Sequence, residues 1–174
     1  MKNKFLIIAT LLFGVTSCDN PIESQTIVGD CTDLSGSCFY YVKENIIVTN
    51  SEKTKGFTFS PSVDMKDGKL ICDGITAELV NLGVCCENNT LILLLEDGSK
   101  ITLKSWNKFN CKGHAFFNLS AYEIKLLREH KIIKAQIQNG RTFDSFQNLI
   151  NLKNQDYFFR FFQELDANKY VVKK

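Results

Sequence analysis

The stretch Leu91–Leu103, LILLLEDGSKITL, decides the fold class. Two short apolar runs flank Glu96-Asp97-Gly98-Ser99. An Asp-Gly pair between such runs is a strong short-range hairpin signal. With Asp97-Gly98 as a two-residue turn, Leu94 faces Ile101 and Ile92 faces Leu103, which makes one wholly apolar face. Leu93 then meets Thr102 and Leu95 meets Lys100. That mixed face predicts partial cover by a helix.

Working outward toward the carboxyl end, Asn118–His130 (NLSAYEIKLLREH) reads as a helix. Ser120 and Glu123 have the spacing of a capping box, and Leu119 and Ile124 that of a hydrophobic staple. Ala121, Ile124 and Leu127 form the expected buried stripe. Ile133, Ala135 and Ile137 alternate with Lys134, Gln136 and Gln138, a half-buried strand. Asn139-Gly140 signals a second hairpin turn. A strict two-residue turn there sets Phe143 opposite Gln136, so a bulge or a second covered face is expected. Gln155–Leu165 reads as a final helix that docks Phe158, Phe161, Phe162 and Leu165. Tyr157 and Phe159 fall off that stripe; they are the exposed aromatics if a partner surface exists, and a wider buried face is the simpler account.

Toward the amino end the pattern stays β-rich. Phe39–Thr49 (FYYVKENIIVT) reads as a strand broken near Glu44-Asn45. Ser51–Gly56 is a polar turn, and Phe57–Ser60 a short strand. Asp67-Gly68 marks another turn. Lys69–Leu82 holds one or two strands, with Thr76–Leu82 as an alternative helical turn. Antiparallel hairpins without regular strand–helix alternation give an α+β fold: an antiparallel sheet built from hairpins, with two helices of the C-terminal half packed on it.

The first eighteen residues carry a different signal. Lys2 and Lys4 precede an uncharged apolar run, Phe5–Val15, followed by Val15-Thr16-Ser17-Cys18. A charged start, a run too short to span a bilayer, small residues and a cysteine form the pattern of a lipoprotein signal peptide with its lipobox. Residues 1–17 are then a removed signal peptide. Cys18 carries the lipid, palmitate or similar acyl chains, and 18–30 is a lipidated tether. Residues 31–174 form one globular domain. The expected location is the cell envelope, anchored to the inner or outer membrane, with the domain in the periplasm or at the cell surface. Asp19 favours inner-membrane retention in some lineages, and the choice of membrane stays open.

Seven cysteines support this reading. With Cys18 lipidated, six remain: Cys31, Cys38, Cys72, Cys85, Cys86 and Cys111. In an oxidising compartment an even set predicts disulfides, and spacing alone does not choose the pairing. Cys31 with Cys38 closes a small Gly/Ser loop. Cys72, Cys85, Cys86 and Cys111 make up two more pairs, with Cys85 and Cys86 bonded to different neighbours because a vicinal ring is strained.

The order of parts from Leu91 to Leu165 resembles that of small lipoproteins of Bacteroidota-type bacteria. Those parts are a strand ending in Glu96-Asp97-Gly98, the connection Phe109-Asn110-Cys111, the helix start Leu119-Ser120, an Ile-Ile-Lys strand and a Phe-rich last helix. The resemblance implies an exported single-domain lipoprotein without an assigned activity and carries over no catalytic residue.

Chemistry-bearing motifs are sparse. Cys111-Lys-Gly-His114 has the spacing of half a zinc site, but its only potential complement, Cys85-Cys86, is vicinal and the compartment favours disulfides. Cysteine–histidine nucleophilic catalysis needs a free Cys111 thiol. His130 ends a helix, where an imidazolium is favoured by the dipole. Glu96 and Asp97 are explained by turn chemistry, and Asp64, Asp67 and Asp73 are too loosely spaced for an EF-hand loop. There is no Cys-x-x-Cys, phosphate-binding glycine loop or serine elbow. The expectation is no catalytic residue, metal or cofactor. Of 21 basic residues, Lys2 and Lys4 leave with the signal, so 19 balance 19 acidic ones and nucleic-acid binding has no electrostatic basis. The partners expected are the bilayer, through acylated Cys18, and an envelope protein. A non-catalytic binding or accessory module is the leading functional expectation. An envelope enzyme with a dispersed site and a defence or exclusion lipoprotein are the alternatives.

Overall fold

A computed structural model describes residues 26–32, 37–83, 85, 87–106 and 111–173. Eleven strands and two α-helices are found among them. The strands are β1 (Ile27–Asp30), β2 (Phe39–Val42), β3 (Ile46–Thr49), β4 (Gly56–Lys66), β5 (Lys69–Val80), β6 (Thr90–Leu95), β7 (Lys100–Lys104), β8 (His114–Asn118), β9 (Ile132–Gln138), β10 (Ser145–Leu149) and β11 (Val171–Lys173). The helices are α1 (Ala121–Glu129) and α2 (Tyr157–Asp166), and a 3-10 turn, Leu152–Asn154, precedes α2. The chain is α+β, with mostly antiparallel sheet and both helices in the C-terminal half.

Two four-stranded sheets, β3-β4-β5-β8 and β10-β9-β6-β7, enclose one core. They meet at one side through a bridge between Ser105 and Phe117. At the other side the Asn148 side-chain amide donates to the Thr49 carbonyl at 3.0 Å. Alternate residues of each strand point inward: Phe57 and Phe59, Ile75 and Ala77, Ala115 and Phe117, and Ala135 and Ile137 are all buried. Helix α2 adds Tyr157, Phe158, Phe161, Phe162 and Leu165, and the Phe158 ring stacks on Phe59 with centroids 6.2 Å apart. Arg128 of α1 clamps α2 by pairing with the Asp166 carboxylate and lying 4.3 Å over the Phe162 ring.

The central hairpin is present, but its register is shifted by one residue from the expected one. Leu91 pairs with Leu103 and Leu93 with Ile101. Leu95 N–H donates to Ser99 O, and Gly98, at φ +86°, N–H donates to Leu95 O, so the loop has three residues, Glu96 to Gly98. A type I turn closed by a glycine in the left-handed region has this form. The shift exchanges the two faces of β6 and leaves those of β7 as expected. Leu91, Leu93, Leu95, Ile101 and Leu103 are buried, whereas Lys100 and Thr102 lie on an outer face that is exposed rather than covered by a helix.

Other boundaries move for similar reasons. The β4–β5 hairpin turns at Asp67-Gly68 as expected, both residues having positive φ, but its strands are longer than the sequence suggests. The expected short strand at Phe57 is 11 residues, and Lys69–Val80 is one 12-residue strand with no helical turn. Asp73 is the extra residue of a bulge that lets so long a ladder bend. Pro61 is tolerated because β3 pairs only with Gly56–Phe59, so its nitrogen lies past the end of that partner. Ser120 caps α1 in a complete capping box with Glu123. Leu127 is buried, Leu119 and Ile124 are half-buried against the core, and Ala121 is exposed, not part of the stripe. Helix α2 starts two residues later than expected, at Tyr157. Tyr157 is fully buried, its hydroxyl donating to Glu44 O at 2.6 Å, and Phe159 alone of the pair is exposed.

Residues 27–30, read as part of a tether, form β1. It pairs antiparallel with β2 and parallel with β11, and Ile27 is buried. The folded part therefore reaches back to Ile27. The proposed signal peptide and Cys18 lie outside the described residues.

Asn139-Gly140 is not a two-residue turn. Asn139 is fully buried, and its side chain accepts from the N–H groups of Arg141 and Thr142 and donates to the carbonyls of Leu82 and Cys85. The connection runs through Phe143, and Ser145 pairs with Gln138. Gly140 is required for close approach, since a β-carbon there meets Glu87 O at 2.1 Å. Asn139→Ala orphans two donors and two acceptors at once and is expected to cost about 3 kcal/mol, read as a drop in the urea midpoint with unchanged slope. A loss below about 0.5 kcal/mol, the level of a neutral surface change, sinks this account of Asn139.

Candidate binding groove

Strands β3 and β10 are the outer strands of their sheets, each with one edge lacking a strand partner among the described residues. They approach without pairing as strands, and a groove of about 580 Å³ lies between them. Ile47 and Thr49 line it from β3, Asn148 and Leu149 from β10, Lys53 from the following loop and Leu152 from the 3-10 turn. Local sequence explains the shape. Alternation buries Ile46 and Val48 and turns Ile47 outward. The Asn151 side chain accepts from Lys153 N–H, starts the 3-10 turn and lifts Leu152 to the surface. Ile47, Leu149 and Leu152 are three large aliphatic side chains exposed around one concavity. Apolar walls beside open strand edges suit an extended peptide, which satisfies backbone groups and fills side-chain pockets together.

The described cysteines divide into four that are bonded and one that is half-buried and free. Cys31 bonds to Cys38 and Cys85 bonds to Cys111. The expectation for Cys72 is corrected: it is a free thiol on β5. Its sulfur points toward the Gly74 carbonyl at 3.6 Å, and burial pushes it up to about 12. Cys86 lies outside the described residues.

The remaining candidates are scattered. Because the Cys111 sulfur is bonded to Cys85, the Cys111–His114 pair has no thiolate nucleophile. His114 sits exposed at the start of β8. His130 caps α1, donating its backbone N–H to Leu126 O, and its Nε2 lies 3.6 Å from the Asp97 carboxylate. Asp97 accepts from the Ser99 hydroxyl and N–H, which lowers its pKa and fixes the turn. Glu96 accepts from Lys131 N–H. Asp64 accepts from Met65 N–H, Asp67 is in a turn and Asp73 is in the bulge. Among the described residues no three His, Cys, Asp or Glu side chains converge as a metal site, and no helix is long and apolar enough to cross a membrane.

Sequence reasoning missed this groove because its walls come from strands about a hundred residues apart. The only local signal was the alternation that leaves Ile47 outward.

Comparison of the chain with protein families, curated proteins and solved structures gives no match.

Two outcomes follow from these side chains. In a chain with Cys18 and Cys86 replaced by serine, Cys72 should resist an aromatic disulfide reagent while folded and react as a single thiol in denaturant without reductant. Ready reaction of the folded protein places the thiol at the surface instead. Asp30 is held down to about 2, first by the Thr32 hydroxyl and then by Lys173. A depressed carboxylate stabilises the fold above its ordinary value of 3.8, and that contribution disappears as pH falls toward about 2. Asp30→Asn should therefore flatten the urea stability profile across that window; an unchanged slope removes Asp30 from it.

Proposed function

We propose that this chain is a lipid-anchored lipoprotein of the cell envelope. It acts as a non-catalytic binding module that takes an extended peptide segment of an envelope partner between β3 and β10. The observation that carries the binding reading is the groove itself: two open strand edges flank it, and Ile47, Leu149 and Leu152 line it. A peptide laid there hydrogen-bonds to edge backbone, displacing the Asn148 amide where it reaches the Thr49 carbonyl, and its apolar side chains cover side chains that otherwise face water.

The envelope reading is supported by the lipobox pattern at Val15–Cys18 and by two disulfides, which persist in oxidising compartments. Two acyl chains suffice for stable attachment. The anchor supplies location and the groove supplies contact.

The test is crosslinking in the native membrane followed by mass spectrometry, with wild type, Cys18→Ser and Leu149→Glu run together. Cys18→Ser should release the protein from the membrane. Leu149 is 69% exposed, so its replacement by Glu should leave folding and anchoring intact. Capture of the partner seen with wild type should fall about tenfold or more, the scale of losing one central apolar contact. If Leu149→Glu captures the same partner equally well, the groove is not the binding site.

A further inference from the structure

The small sheet β11-β1-β2 has two chemically different faces. Ile27 and Val42 pair with each other and are buried in the core. Paired residues share a face, so the opposite one carries two rows. Val28 lies between Tyr41 and Val171, and Asp30 between Phe39 and Lys173. Phe39 is 63% exposed, Tyr41 42% and Val171 58%. The charges on this face neutralise each other, with Lys173 Nζ 3.0 Å from the Asp30 carboxylate. The result is an open aromatic and aliphatic surface, its Asp30 and Lys173 charges paired, on the first described strands.

The chain enters this sheet at Thr26, eight residues after Cys18. Fully extended, that link spans at most about 26 Å, at ~3.3 Å per residue. A domain of this size is wider, its radius of gyration alone being roughly 15 Å. A lipid at Cys18 therefore keeps the Thr26 end of the sheet at the membrane side of the domain. Aromatic rings with an apolar body and a polar edge partition to the headgroup level of a bilayer. We infer that the Phe39–Tyr41–Val171 face docks on the bilayer interface and sets the orientation of the domain on its membrane. This rests on the reading of Cys18 as lipidated. The ring face, not the acyl chains, decides how the domain lies.

The experiment uses the full acylated chain in vesicles of phosphatidylcholine with a minority of phosphatidylglycerol, the phosphatidylcholine brominated on its acyl chains. Trp106 is the single tryptophan and sets the background. Tyr41→Trp adds a reporter on the docking face, and Phe39→Trp gives the same readout if the first variant fails to fold. The added emission should fall about twofold in brominated relative to plain vesicles, as expected of a ring at headgroup depth. Mass spectrometry of the same samples reports acylation of Cys18. An acylated, membrane-held protein whose added tryptophan is unquenched overturns the docking face and leaves the anchor standing. Unquenched emission together with a dimer assigns the face to a second copy and also overturns the proposal. A chain that is neither acylated nor membrane-held overturns the lipoprotein reading and this inference with it.

Discussion

The turn at Asp97 holds the phase of the central hairpin, and much of the interior depends on that phase. Asp97 accepts two hydrogen bonds from Ser99, and Gly98 takes the left-handed conformation that closes a three-residue loop. This aims Leu91, Leu93 and Leu95 at the core, and their neighbours Ile101 and Leu103 with them. In a strand the faces alternate every residue, so a slip of one would put Ile92 and Leu94 on the face of Ile101 and Leu103 and turn Leu91, Leu93 and Leu95 outward. Strand β9 pairs with β6 in the same phase, placing Ala135 beside Leu93 and Ile137 beside Leu91. The second sheet and the phenylalanines of α2 are packed against a surface that this turn orients.

Burial and bonding together account for the described cysteines without reactive sulfur. One disulfide closes a seven-residue separation and the other a separation of 26, so both restrain irregular connections rather than the sheets. The remaining described thiol lies within the structure near the backbone of the bulge at Asp73. Loss of solvent around it raises its pKa and keeps it from acting as a thiolate. Polar restraint is concentrated elsewhere, around Asn139, Asn89 and Ser105. There side-chain bonds tie the β9–β10 connection to the segments before β6 and after β7.

What was legible in the sequence was what is locally decided. The Ser120–Glu123 capping box needs only residues three apart, and the Asp67-Gly68 turn needs only two positive φ angles, so both could be read directly. The α2 stripe was legible because Phe158, Phe161, Phe162 and Leu165 share one helical face, although the reach of Tyr157 to Glu44 was not, as that partner is 113 positions away. Asn139-Gly140 misled for the same reason. Asn139 bonds to carbonyls more than fifty residues upstream, and such tertiary contacts override the turn preference of the dipeptide. The Asp97-Gly98 hairpin was recognised and its loop miscounted by one residue, because two- and three-residue loops share the same glycine signal. The groove was illegible throughout, since it belongs to no single segment.

The parallel pairing of β1 with β11 has a consequence in time. Asp30 and Lys173 are 143 positions apart, and a chain is made from its amino end. Strand β1 thus emerges well before β11 and must wait for it before its ladder is complete. Long-range pairing of this kind is slow to form. Until β11 arrives, β1 has β2 as its only ladder partner, and the nearby loop closed by Cys31 and Cys38 is short enough to form in the meantime. Strands β1 and β11 are consequently locked in one event, and loss of Val171–Lys173 would be felt at Ile27–Asp30.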